Sequence, residues 1–264
     1  MTRPFLILQL RPEDEAADDE LRAICRHGGL VETEVVRWRV ERTGLPEIRL
    51  EDYAAIIVGG SPFDISTPEN AKSAAQKRIE ADFMRLLDRV VEADFPFFGA
   101  CSGSGLLGKY CGASISGTYA EPVGGVDIEI TEAGAADALL CDLPRSFRVL
   151  LGHKEACDAT PPGAVLLASS RACPVQMFRL KSNVYATQFH PEADADGFTV
   201  RINVYKHHGY FPPETAQALI DAVSREDTPV ARRILERFVE RYREQSPAPP
   251  GGRQARDGTA SVAT

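Results

Sequence analysis

No apolar run in this sequence approaches the roughly 20 residues needed to cross a bilayer, so no membrane span is expected. The opening stretch, Met1 to Leu10, is apolar but short, and the acidic run Glu13 to Glu20 follows it at once. It lacks the basic start, long apolar centre and small-residue cleavage site of a secretory signal. It reads instead as a first β-strand. Basic charge is scarce as well: 30 Lys and Arg stand against 38 Asp and Glu, a net charge of −8 with His neutral. Duplex nucleic acid and anionic membranes reward clustered Lys and Arg, and neither is an expected partner. The six cysteines (Cys25, Cys101, Cys111, Cys141, Cys157 and Cys173) include no CxxC pair, which removes the usual zinc and redox spacings. A core of this size does not need disulfides. Scattered thiols and, from the missing signals, a cytoplasmic address are the expectation.

What is present is an ordinary globular balance, 44% hydrophobic and 26% charged over 264 residues, enough for one large core. Apolar runs alternate with helical stretches. Phe5 to Leu10 and Tyr53 to Val58 read as buried strands, and Val31 to Val40 alternates as a strand does. Residues 69 to 93 place Ile79, Phe83, Leu86, Leu87 and Val90 at helical spacing. Such βαβ units predict a three-layer α/β sandwich with a mainly parallel central sheet. The second half is richer in strands, at Val126 to Thr131, Arg148 to Leu151, Ala164 to Ala168 and Val184 to Phe189. Two helices follow, about 214–224 and 228–243. No repeat and no linker stands out, so residues 1–245 are expected to form a single domain. The Pro-, Gly- and Ser-rich tail 246–264 reads as disordered.

Three segments carry chemistry. In Phe97-Phe-Gly-Ala-Cys101-Ser-Gly-Ser-Gly, a strand runs into a sharp turn with a cysteine at its tip and a helix behind it. Gly99 and Gly103, two before and two after Cys101, are what such a nucleophile elbow needs, because its backbone brings neighbouring chains too close for Cβ atoms. The helix start beside Cys101 favours thiolate over thiol, and the Ser102 N–H is placed to face an oxyanion. In Gln188-Phe-His190-Pro-Glu192, Pro191 keeps His190 extended. Residues two apart in an extended chain share a side, so Glu192 is expected to orient the His190 imidazole. That support suits a base which takes the thiol proton and later protonates a departing nitrogen. The third segment, Ile56-Ile-Val-Gly59-Gly60-Ser-Pro62, ends a buried strand with bare amides, and Gly60 is the expected second oxyanion donor.

Together, in this order, these segments resemble the class I glutamine amidotransferase family. The match is carried by Gly99, Cys101 and Gly103, by His190, Pro191 and Glu192, and by the Gly59-Gly60-Ser61-Pro62 loop. The stretch from Gly152-His-Lys-Glu155 to Leu167-Ala-Ser-Ser170 is similar too, so the likeness covers roughly residues 5 to 200. It implies a flavodoxin-like fold, and hydrolysis of glutamine through a Cys101 thioester with release of ammonia and glutamate, without a cofactor or metal. The nearest likeness is to the glutaminase portion of GMP synthetase. No ATP-pyrophosphatase-like region fits in 264 residues, which implies that the partner is a separate synthetase subunit. One departure stands out: many members carry glutamine four residues after the nucleophile, where this chain has Gly105. A larger γ-glutamyl compound is therefore an alternative substrate, and a non-catalytic regulatory subunit of the same fold is a second alternative.

Other readings compete locally. Gly103-Ser-Gly105-Leu-Leu-Gly108 satisfies the dinucleotide fingerprint, but it does not follow a first strand, has Cys101 at its tip, and leaves His-Pro-Glu unexplained. His153 with Glu155 reads as a structural loop or a substrate contact. As a metal pair it lacks a visible third ligand.

Overall fold

The computed structural model describes residues 3–245; the tail 246–264 lies outside them. Eleven strands are present: β1 (Phe5–Gln9), β2 (Val35–Arg39), β3 (Ile56–Val58), β4 (Phe97–Ala100), β5 (Ile115–Ser116), β6 (Glu121–Ile130), β7 (Ser146–His153), β8 (Ala156–Cys157), β9 (Ala164–Ser170), β10 (Met177–Leu180) and β11 (Val184–Thr187). The helices are α1 (Asp14–Gly28), α2 (Val40–Thr43), α3 (Ala74–Glu92), α4 (Ser102–Tyr110), α5 (Glu132–Ala135), α6 (Ala195–Tyr205), α7 (Ala216–Val223) and α8 (Pro229–Gln245). Nine strands make one sheet in the order β2-β1-β3-β4-β11-β10-β9-β6-β7, while β5 and β8 pair separately. The half from β2 to β11 is parallel; β10, β9, β6 and β7 extend it antiparallel.

Strand alternation builds the layers. Phe5 and Ile7 of β1, with Phe98 and Ala100 of β4, face a cluster holding Ile24 of α1 and Phe238, Val239 and Tyr242 of α8. Leu6 and Leu8, with Phe97, face the opposite cluster with Ile79, Phe83, Leu86 and Leu87 of α3 and Leu106 and Leu107 of α4. Period-2 strands between period-3.6 helices can bury both faces only in three layers. Phe98 and Phe238 meet edge to face, 5.2 Å between ring centroids.

Several boundaries differ from expectation for local reasons. Helix α3 begins at Ala74, because Ser73 Oγ accepts the Gln76 N–H at 3.1 Å and caps it there. Residues 32–34 form a 3-10 turn, so β2 is shorter than the alternation suggests. Strand β11 stops at Thr187, whose Oγ1 donates to the Phe189 carbonyl at 2.9 Å as the chain turns out of the sheet. Helix α6 has no counterpart in the sequence reading. Thr199, Val200, Ile202 and Val204 give it a strand-like composition, and the helix rests on an Asp194 cap of the Gly197 N–H at 3.0 Å.

Candidate active site

The site lies beyond the C-terminal ends of β1, β3, β4 and β11, where parallel sheets leave a crevice. Register brings the two main motifs together. Ala100 of β4 pairs with Thr187 of β11, and the Cys101 N–H donates to the Thr187 carbonyl at 2.8 Å. Cys101 is thus one residue past its strand end, and His190 three past the neighbouring one. The His190 N–H is tied to the Leu150 carbonyl at 3.0 Å. Cys101 and His190 line a single cleft of about 770 Å³, counted with the open solvent at its mouth.

The turn at Cys101 is an elbow in its backbone angles, with φ 51° and ψ −97°. A residue with a Cβ is strained there. Gly99 is required by close approach: a Cβ on it would stand 2.7 Å from the Gly103 carbonyl carbon. Substituting Gly99→Ala therefore forces backbone against backbone and is expected to destabilise the fold by about 3 kcal/mol. Gly105→Ala meets only Ile65 Cγ1 at 3.2 Å and should cost less than about 1 kcal/mol. Denaturant unfolding of the two variants side by side checks this contrast. The dinucleotide reading of the same glycines finds no support in their surroundings. A Cβ on Gly103 would meet Val58 at 3.2 Å, and one on Gly108 would meet Cys157 Sγ at 2.5 Å. They seat α4 against its neighbours.

His190 Nδ1 is 2.6 Å from Glu192 Oε1, which leaves Nε2 as the nitrogen for proton exchange. Both side chains are buried. Burial pushes the Glu192 carboxyl up, but the nearby His190 and Arg201 outweigh it and hold the group well below the usual carboxylate range. Burial lowers the His190 pKa from its ordinary value, against the opposing pull of Glu192, and keeps the resting imidazole neutral. The buried Cys101 thiol is pushed up to about 12 by desolvation, with Arg11 acting in the opposite direction. The resting pair is thus thiol and neutral imidazole, the state from which a base-assisted attack starts. A fourth member, invisible in the sequence, is Arg201 of α6. Its Nη2 donates to Glu192 Oε1 at 3.0 Å and anchors the carboxylate from the side opposite His190.

The Gly-Gly loop departs from expectation. The Gly60 N–H donates to Glu20 Oε1 at 3.1 Å, and the Gly59 N–H to the Leu8 carbonyl at 3.4 Å. Ser102 Oγ accepts the Ser61 N–H at 2.8 Å and holds this loop against the elbow. As the first residue of α4, Ser102 has a backbone N–H without an intrahelical acceptor. Across the cleft, both Glu155 oxygens accept loop amides, from Ile65 at 2.6 Å and Ser66 at 2.7 Å. Lys154 Nζ pairs with Asp64 at 2.6 Å and lies 4.5 Å from the centre of the Tyr210 ring. His153 is structural: Nε2 meets Glu121 Oε2 at 3.0 Å, and Nδ1 meets the Glu155 carbonyl at 3.0 Å. The fold does bring Glu121, His153 and Cys173 donor atoms within 4.8 Å of one another. Glu121 Oε2 is already shared between His153 and Gln176 Nε2, the latter at 2.7 Å, so these donors satisfy each other.

All six thiols are free, and among the described residues no helix is long and apolar enough to cross a membrane. Similar proteins agree with this geometry. The smaller, glutamine-hydrolyzing GMP synthase subunit of Thermococcus kodakarensis is 31% identical over 151 residues, covering 57% of this chain and 72% of that protein. A glutamine-hydrolyzing GMP synthase of Streptomyces avermitilis is 29% identical, with the match covering 55% of this chain and 25% of that longer protein. In fold, a glutamine amidotransferase of Thermotoga maritima superposes with a TM-score of 0.73 at 21% identity, covering 92% of this chain and all of that one. Residues 18–202, which hold the elbow, the Gly-Gly loop and the His-Pro-Glu segment, match the glutamine amidotransferase class-I family, and the chain belongs to that family.

Proposed function

We propose that this chain hydrolyses the side-chain amide of glutamine through a thioester on Cys101. The observation that carries the reading is the elbow: a cysteine at positive φ sharing one cleft with the buried His190–Glu192 pair. Cys101 Sγ gives its proton to His190 Nε2 and attacks the amide carbon, and the carbonyl π pair moves onto oxygen. The C–N bond then breaks, His190 returns the proton to nitrogen, and ammonia leaves. Water, deprotonated by the same imidazole, splits the thioester into glutamate and free thiol. Nothing in this sequence of steps calls for a cofactor. The Thermococcus relative is by name one subunit of a GMP synthase, which supports a separate synthetase chain as the acceptor of the ammonia.

A second reading, a γ-glutamyl hydrolase, is favoured by one feature. Gly105 and the apolar walls at Phe63, Phe198, Tyr210 and Phe211 leave room in the cleft beyond a glutamine-sized ligand. Labelling with a diazo-ketone glutamine analogue, followed by peptide mapping, is expected to find the adduct on Cys101; an unlabelled Cys101 removes the proposal. Comparing kcat/KM on glutamine and on γ-glutamyl dipeptides separates the two readings. Glutamine is expected to be the better substrate, and a tenfold preference for dipeptides, about 1.4 kcal/mol in transition-state binding, transfers the assignment to the second.

A further inference from the structure

The Gly60 amide, the obvious second donor to an oxyanion, is engaged with Glu20 at 3.1 Å. Glu20 is fully buried and forms an ion pair with Arg11, Nε to Oε1 at 2.8 Å. It also accepts from Gln9 Nε2 at 3.2 Å. The two glycines make room for this pair. A Cβ on Gly59 would stand 2.4 Å from the Glu20 carboxyl carbon, and one on Gly60 would stand 2.5 Å from Arg11 Nη2. The same point above Gly60 is 3.0 Å from His190 Cε1, so the outer nitrogen of Arg11 sits close to the catalytic imidazole. Arg11 Nη1 donates to the Tyr205 hydroxyl at 3.3 Å. Among the described residues Nη2 meets no hydrogen-bond acceptor, although Arg11 is only 4% exposed and lines the cleft with Cys101 and His190. Of the charged groups acting on Cys101, Arg11 is the strongest.

We propose that the Arg11 guanidinium takes the place of the Gly60 amide as second oxyanion donor, acting with the Ser102 N–H on the charge that forms when Cys101 attacks an acyl group. The inference rests on Cys101 being the nucleophile. In the attack the S–C bond forms, the thiol proton goes to His190, and the carbonyl pair moves onto oxygen; Arg11 keeps its protons throughout. A charged donor strengthens such a hydrogen bond relative to a neutral amide, and fixed placement in a dry site makes it more effective still. Glu20 supplies the counter-charge that lets the cation stay buried, and with Tyr205 it locks the guanidinium plane. The ion pair therefore serves as preorganisation at the edge of the reacting centre.

The test uses the full chain with Arg11→Lys, Arg11→Met and the double variant Arg11→Met/Glu20→Gln. The double variant leaves no lone buried carboxylate and still lets position 20 accept the Gly60 N–H. Activity toward glutamine and γ-glutamyl dipeptide, thermal melting, and alkylation of Cys101 by iodoacetamide, which forms no oxyanion, are measured on each. The expected result is a kcat lower by about 10²–10³-fold in the double variant, with KM within about threefold of wild type and Cys101 still fully alkylated. Lysine at position 11 should recover at least about tenfold of the loss, since it keeps the charge but not the fork. A kcat loss under about threefold, or a loss carried entirely by KM, overturns the proposal; the second outcome would make Arg11 a contact to the substrate's own carboxylate. Wild-type protein inert toward substrate and toward the diazo-ketone label would instead refute the nucleophile assignment. Active wild type with an equally active double variant refutes the role of Arg11 alone.

Discussion

Cys101→Ala protein is expected to release no measurable glutamate from glutamine, a loss of roughly 10⁶-fold by analogy with nucleophile deletions in other triads. Without the thiol no thioester can form. Water has no equivalent position at the tip of β4, where the elbow brings the nucleophile into the cleft shared with His190. The fold should be retained: the Cys101 N–H bond to Thr187 at 2.8 Å and the Gly105 N–H bond to the Cys101 carbonyl at 3.0 Å are backbone contacts that Ala preserves. A companion variant separates strain from chemistry. Cys101→Gly removes the Cβ from a residue held at φ 51°, and should be more stable than Cys101→Ala by about 1 kcal/mol while being equally inactive. Paired glutamate-release assays and thermal melts measure both effects. Turnover above a few per cent of wild type in either variant would end the assignment of Cys101 as nucleophile.

Glu192→Gln is expected to lower kcat by roughly 10²–10⁴-fold, the upper end being the cost of the equivalent change in a serine triad. The carboxylate stabilises the imidazolium that exists while His190 carries the thiol proton, and an amide of the same shape cannot. The pH profile gives this variant its signature. Glu192 raises the His190 pKa against the larger effect of burial, which lowers it. Neutralising Glu192 removes the raising contribution, so the acid limb of kcat/KM must move to lower pH even as the plateau drops. A variant that was merely misfolded would lose activity without moving the limb. Stability should fall too, because Arg201 keeps its buried charge and loses its carboxylate; uncompensated charges of this kind cost about 3–5 kcal/mol. The double variant Glu192→Gln/Arg201→Met should recover much of that stability and none of the rate. An unchanged acid limb in a folded Glu192→Gln protein would detach Glu192 from the base.

The elbow and the His-Pro-Glu segment were legible in the chain because each is a short-range pattern with a short-range cause. A glycine two residues either side of a cysteine records a backbone crossing, realised here as the 2.7 Å approach at Gly99. A histidine and a glutamate flanking proline record an extended step, realised as the 2.6 Å contact from His190 to Glu192. Alternating apolar runs and helical spacings likewise foretold the layered sheet. Helix α6 escaped the sequence reading because its β-branched residues favour a strand locally, whereas a cap at Asp194 and packing of Phe198 and Ile202 in the adjoining core fix a helix.

By itself, then, the amino-acid sequence determined the fold class, the nucleophile and the base with its carboxylate, since all depend on residues near one another along the chain or on periodicity. Tertiary structure alone decided that the Gly60 amide is spent on Glu20, that Arg11 fills the space above it, and that Arg201 anchors Glu192. The physical reason is separation in sequence. Arg11, Glu20, Gly60, His190 and Arg201 meet only because the parallel strands end at one edge, and a buried charge finds its partner through folding, which leaves no local pattern along the chain.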